Sequence, residues 1–200
     1  MKKLTIIALL FATFLCKAQE RKIIALNYGG GNGRISFGKF SAQDGALLST
    51  NSKSLNTFGF TYLNETVKNL FLETGINSFT YQYTLTAVGY GIDIPQVSNH
   101  KTSLISIPIK LRYEVGKYVF FNGGLNTDID ISEKDRNSVS DFSGIGAGAG
   151  IGLQYFKNHF GVYFNPQFDF RSLIQFTSSN QHNKILNSNF VFGLSYKMKQ

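Results

Sequence analysis

One pattern constrains this chain more than any other: apolar and polar side chains alternate with a period of two over long runs. Ile105, Ile107, Ile109, Leu111 and Tyr113 alternate with Ser106, Pro108, Lys110 and Arg112. Val162, Phe164, Pro166, Phe168 and Phe170 alternate with Tyr163, Asn165, Gln167, Asp169 and Arg171. Phe190, Phe192, Leu194, Tyr196 and Met198 repeat the pattern near the C-terminus. Such spacing puts one set on each face of a β-strand. Eight segments qualify: about 21–30, 54–63, 69–83, 103–114, 117–131, 142–156, 159–172 and 187–198. Several reach 10 to 15 residues. Strands of soluble domains average about 5–6 residues, whereas a tilted membrane strand needs about 9–11.

The connections alternate in length. Gly31–Lys53, Thr84–Thr102, Ser132–Asp141 and Ser172–Leu186 are the longer ones; Asn64–Lys68, Val115–Gly116 and Lys157–Asn158 are short. Long loops at one end and tight turns at the other describe an up-and-down meander, and in outer-membrane barrels the tight turns face the periplasm. The expected fold is therefore all-β: an eight-stranded antiparallel up-and-down transmembrane β-barrel, both termini periplasmic.

The N-terminus fits export. Lys2 and Lys3 precede the apolar run Leu4–Leu15, and the small residues Cys16 and Ala18 follow. This reads as a signal peptide over residues 1–18, too short to span a bilayer as a helix, followed by a barrel domain over 19–200. Leu15 before Cys16 argues against a lipoprotein cleavage site. Removing the leader takes away Lys2, Lys3 and Lys17, so the formal charge falls from +8 to +5, and the sole cysteine goes too. No disulfide or Cys-ligated metal is then expected. The remaining charge is scattered, with no basic block of the kind that binds nucleic acid.

The faces suggest an environment. A network of Glu73, Lys110, Arg112, Asp128, Asp130, Asp169 and Arg171 is expected in the lumen, because unpaired charges there would be very costly. Ile105, Ile107, Ile109, Phe164, Phe168, Phe190, Phe192 and Tyr196 are expected to face lipid. The alternative is a soluble exported lipocalin-like carrier of a small apolar ligand, with these faces exchanged. Alternation alone does not separate the two.

Three segments carry a family resemblance. "SLISIPIKLRYEV" (Ser103–Val115), "YVFFNGGLNTDIDI" and "DFSGIGAGAGIGLQY" resemble successive strands of the PorT-like outer-membrane β-barrel proteins of Bacteroidota. The resemblance runs in order over roughly residues 20–198. It implies an eight-stranded barrel in the outer membrane, and protein secretion for some members. It implies no catalytic residue. The C-terminal strand departs from the usual outer-membrane pattern, with Met198 where an aromatic is common.

Motifs that would carry chemistry are weak. "GRISFGK" (Gly33–Lys39) has P-loop spacing, but Phe40 replaces the Ser or Thr that holds magnesium and no helix pattern follows. Gly29–Gly31 and Gly33 are read instead as a flexible outer loop. His100, His159 and His182 are far apart in sequence, and His100 and His182 fall in expected outer loops. Asp128, Asp130 and Glu133 lack the spacing of an EF-hand. No serine stands in a G-x-S-x-G context. The reading is non-enzymatic, with no cofactor and no metal. The expected partners are outer-membrane lipid, the barrel-assembly machinery and an extracellular or envelope protein bound by the loops.

"GIGAGAGIG" (Gly144–Gly152) is read as strand. Ile145, Ala147, Ala149 and Ile151 face lipid, and the five glycines form a bare lumenal wall that admits bulky neighbours.

Overall fold

The computed structural model describes residues 21–36, 47–88, 96–132, 142–176 and 184–199. The leader expected over residues 1–18 lies outside them, as do Phe37–Phe40, Glu133 and His182. Eight strands run in chain order: β1 Lys22–Ser36, β2 Leu47–Val67, β3 Leu70–Val88, β4 Gln96–Val115, β5 Val119–Asp130, β6 Gly144–Lys157, β7 Phe160–Gln175 and β8 Lys184–Lys197. Each pairs antiparallel with the next, and β8 pairs with β1 to close the barrel. Closure leaves no open edge around the ring, the condition for a sheet to cross a membrane.

Three tight turns cluster at the end that also holds Arg21 and Lys197. The β2–β3 turn uses Asn69 at φ 65° and the β6–β7 turn Asn158 at φ 58°, a left-handed region that asparagine tolerates. Gly116 at φ 68° serves the β4–β5 turn. The Asn69 amide donates to Glu65 Oε1 at 2.8 Å, which ties the turn to the strand before it.

The strands are longer than their apolar rows. β2, β3 and β4 have 21, 19 and 20 residues, while β5 has 12. Much of the expected outer loops is therefore strand. Residues 31–36 and 47–53 belong to β1 and β2, 84–88 and 96–102 to β3 and β4, and 172–175 with 184–186 to β7 and β8. His100 lies in β4 rather than in a loop. Gly29, Gly30, Gly31 and Gly33 are likewise strand, paired on both sides as far as Gly31 and to Asn187 at Gly33. The reason is steric. A Cβ on Gly33 would stand 2.9 Å from the Tyr81 ring and 3.0 Å from Asn187 Oδ1, so glycine is needed for what faces it across the lumen.

Pairing between β2 and β3 continues to Leu47↔Val88, and between β3 and β4 to Ala87↔Gln96. The β1–β2 and β4–β5 ladders stop earlier, at Gly31↔Leu55 and Leu104↔Asp130. The upper halves of β2, β3 and β4 thus form a three-stranded flap above the closed ring.

Candidate functional site

The lumen is the interior of this molecule, and it is filled in layers. At the tight-turn end Arg21 forks onto Glu65, with Nη2–Oε1 at 2.6 Å and Nε–Oε2 at 2.8 Å, and reaches Glu114 at 3.3 Å. The hydrogen bond to Glu65 raises the Arg21 pKa further above its ordinary value. Ile23, Leu63 and Phe71, with Phe156, pack as an apolar layer beside it.

The middle of the lumen is polar. Arg112 donates to Gln154, whose Nε2 donates to Glu114 at 2.9 Å. The Arg112 guanidinium lies 3.5 Å over the Phe120 ring. Glu73 accepts from Asn122 at 3.3 Å, and Tyr163 donates to Asn27 at 2.7 Å. Above them Asp169 is a hub: Lys110 is 3.3 Å away, Arg171 3.6 Å, and Asn126 donates at 3.2 Å. Arg171 also pairs with Asp128, donates to Ser106 at 3.2 Å and caps Phe79 at 3.7 Å. All seven of these charged residues are buried.

The structure thus brings Lys110, Asp128, Asp169 and Arg171 together, with Arg112 and Glu73 one layer below. Among the described residues Arg112 meets no carboxylate directly; it is linked to Glu114 through Gln154. Asp130 stands apart, which corrects its place in the expected network. Its carboxylate accepts from Ser132 N at 2.9 Å, Ser132 Oγ at 2.6 Å and Phe142 N at 3.2 Å. The chain returning into β6 lays Phe142 across the lumen there, so Asp130 is occupied by main chain.

Sequence reasoning missed the Arg21, Glu65 and Glu114 group. Their signal was parity: Glu114 is two residues past Arg112 on the same inward row. It also missed the upper layer, an apolar cluster of Ile35, Leu55, Phe79, Tyr81, Tyr83, Leu104, Phe142 and Ile185 inside the barrel. A cavity of about 30 Å³ remains in the polar layer, bordered by Asn27, Glu73, Arg112, Asn165 and Asn189. That is room for one or two waters. Buried amide atoms of Asn165 and Asn189 lack protein partners and face this space.

No metal-binding group of His, Cys, Asp or Glu exists among the described residues. His100 stacks on Tyr83 at 5.5 Å and bonds Ser98 at 2.8 Å, while His159 stacks on Tyr196 at 6.1 Å.

The outer face is the second candidate surface. Ile107, Ile109, Phe168, Phe190 and Phe192 stand exposed on it, Phe168 at 61 %. Ile105, Phe164 and Tyr196 lie on the same face, half-buried. Phe164 sits between Phe190 and Phe192 at ring distances of 5.9 and 4.8 Å, and Tyr196 sits 5.1 Å from Phe160. Leu26, Tyr28, Phe58, Leu125, Ile151 and Leu153 carry the belt round the barrel. A continuous apolar girdle of this kind far exceeds the patches that soluble monomers expose. Each large side chain in it gains about 1.5–3 kcal/mol on leaving water.

Apolar rows outside and paired charges inside reverse the arrangement of a soluble carrier, which removes that alternative. The molecule is an eight-stranded β-barrel of the outer-membrane type, and belt and fold together place it in the outer membrane. It resembles OprG from Pseudomonas aeruginosa, an outer-membrane protein, with a TM-score of 0.56 at 13 % identity over 92 % of this chain and 98 % of that one. It resembles the outer-membrane protein AlkL, seen in DMPC bilayers, with a TM-score of 0.59 at 13 % identity over 92 % of each chain. No protein-family model matches the chain, and no curated protein matches it.

Proposed function

We propose that this chain is a non-enzymatic outer-membrane anchor and platform. The leader of residues 1–18 exports it, and the barrel-assembly machinery inserts it. The three-stranded flap and the connections above it then present a surface to an extracellular or envelope protein. The tight-turn end with both termini faces the periplasm, as such turns do in outer-membrane barrels.

The observation that carries this reading is the layered lumen. Two apolar layers enclose a polar one whose charges are bonded to one another or to buried amides, with space for only a water or two. Eight strands leave an interior that side chains fill. The interior therefore acts as a rigid core, and what distinguishes the molecule chemically lies at its ends. No cofactor takes part. The resemblance of "SLISIPIKLRYEV" and its following strands to PorT-like proteins supports accessory service to secretion as one use of such a platform.

Two measurements test the proposal. The protein should fractionate with outer membranes and run faster on a gel unheated than boiled; recovery as a soluble periplasmic protein would refute it. In planar bilayers it should show no ion conductance above background. Regular single-channel steps would show that the lumen conducts and that the platform reading is wrong.

A further inference from the structure

The wall is notched at one seam. The β1–β2 ladder ends at Gly31↔Leu55, and above it Gly33 N donates to the Ser52 hydroxyl at 3.2 Å. On its other side β1 keeps its ladder with β8 as far as Ser36↔Lys184. A cavity of about 520 Å³ lies over this seam. It runs round the barrel and crosses the strands. Phe168, Ser188 and Asn32 stand side by side on the outer face of β7, β8 and β1, and Leu186 and Arg34 are neighbours in the next outward row above them. Asn51 and Ser52 border the cavity from β2.

The notch changes character from strand to strand. Its β7–β8 side is apolar, with the Phe168 ring and Leu186 both exposed. Its β1–β2 side carries the amides of Asn32 and Asn51, the Ser52 hydroxyl and Arg34, its one charged lining residue. Below Ser188 the outer face continues as apolar belt, through Phe190 and Phe164 with rings 5.9 Å apart. Lys184 stands beside the notch. It pairs with Ser36 while Arg34 pairs with Leu186, so the two cations are diagonal neighbours with Cα atoms about 7–8 Å apart. Neither has a bonding partner among the described residues, whereas Lys53 donates to Asn99 at 2.8 Å.

We infer that this notch holds a phosphorylated glycolipid of the outer leaflet. One acyl chain lies on Phe168 and Leu186 and runs down onto Phe190, sugar hydroxyls meet Asn32, Asn51 and Ser52, and the phosphate sits at Arg34 and Lys184. The inference rests on the membrane orientation proposed above, which turns this end of the barrel outward. Three features select the occupant. A notch that is apolar on one side and polar on the other suits an amphiphile at the edge of the lipid; a free anion would use only the polar side. Amides and hydroxyls both donate and accept, as the hydroxyls of a sugar require. A guanidinium forks onto phosphate oxygens with paired hydrogen bonds, and a lysine beside it adds a point charge.

The test titrates the protein, purified from outer membranes and stripped of lipid in mild detergent, with bisphosphoryl lipid A or with phosphatidylglycerol. Bound lipid is counted by native mass spectrometry, and heat-shifted mobility checks that each variant is folded. Wild type should bind lipid A more tightly than phosphatidylglycerol. Each cation beside an anionic headgroup contributes about fivefold, so Arg34→Gln/Lys184→Gln should weaken lipid A binding about 25-fold. Lys22→Gln/Lys157→Gln, at the tight-turn end, should leave it unchanged. Ser188→Phe puts a ring in the middle of the notch with both cations intact, and should weaken binding several-fold. Equal or tighter binding of phosphatidylglycerol would overturn the inference, as would unchanged affinity in Arg34→Gln/Lys184→Gln or an equal loss in Lys22→Gln/Lys157→Gln. Full binding by Ser188→Phe, or displacement of lipid A by millimolar inorganic phosphate, would also overturn it, because either reduces the site to charge without a notch. A further variant separates this inference from the orientation beneath it. Gln82→Cys places a thiol on the outer face of the flap, and the chain's one native cysteine is Cys16 of the expected leader. If a membrane-impermeant maleimide fails to label Gln82→Cys in intact cells, the proposed orientation falls; labelling without lipid A preference sinks only this inference.

Discussion

Adding one methyl group to the glycine wall of β6 tests the whole assignment of faces. A Cβ on Gly148 would overlap Asp169 Oδ1, and would lie 2.9 Å from Asp169 Cγ and 3.2 Å from the Phe168 carbonyl. Gly148→Ala must therefore push the Asp169 carboxylate away from Lys110, Arg171 and Asn126. Overpacking of a filled core costs about 1–3 kcal/mol. Breaking a buried ion pair by removing a partner costs about 3–5 kcal/mol, and here the carboxylate is displaced rather than lost. About 3 kcal/mol of destabilisation is expected. The neighbouring Ala147→Leu points outward, where added carbons gain up to about 2 kcal/mol from lipid. The chain has no tryptophan, so urea unfolding in phospholipid vesicles is followed by circular dichroism and heat-shifted mobility. A double-mutant cycle isolates the cause. In an Asp169→Ala background the oxygen that Cβ overlaps is gone, so Gly148→Ala should cost under about 1 kcal/mol. A full cost in both backgrounds would show that the clash with Asp169 is not the reason. Tolerance of Gly148→Ala together with damage from Ala147→Leu would refute the faces.

Other expectations follow from single contacts. Ile107→Arg puts a charge on the lipid side and should cost about 2–4 kcal/mol near mid-bilayer, seen as loss of the heat-shifted folded band. Arg21→Ala leaves Glu65 and Glu114 without their cation. Because Arg21 is partly exposed, about 1–2 kcal/mol should be lost in the same urea assay, and a loss near 5 would mean that the group is drier than it looks. Asn69→Gly should be nearly neutral, since glycine accepts φ 65° freely, whereas Asn69→Ala should cost about 1 kcal/mol. Equal stability of the two would show that the turn is not held in that conformation.

Parity made much of this legible in the sequence. Lys110 and Asp169 were readable as inward because each stands between large apolar neighbours, Arg171 follows at the parity of Asp169, and a period of two leaves no other choice. Parity does not say which inward residue meets which. Asp130 has the parity of Asp128, yet it is taken by Ser132 and Phe142, a tertiary return that no local pattern encodes. Arg112 likewise needs Gln154 to reach Glu114. The glycines of β1 were misread for a related reason. A Gly-rich run reads as a loop until Tyr81 and Asn187 are known to fill the space beside Gly33.

The expected strand ends were short because the solvent changes along the strand. Within the belt, water is absent outside and the lumen is the polar side, so apolar residues point out. Above the belt both arguments reverse. Asn32, Arg34, Asn56, Gln82, Asn99 and Lys101 face outward on β1 to β4, while Ile35, Leu55, Phe79, Tyr81 and Leu104 pack within. The upper wall on that side obeys the rule of a soluble barrel, and the wall below obeys the inverted one. One continuous strand such as β2 carries both codes, changing over near Leu55–Thr57 without a break in its pairing with β3. A period-two search tuned to outward apolar rows stops at that changeover, which is why it returned β2 as 54–63 in place of the observed Leu47–Val67. The changeover also marks the upper edge of the lipid on this side of the barrel. The flap above it is therefore wet on its outer face, which is what the platform proposed above requires.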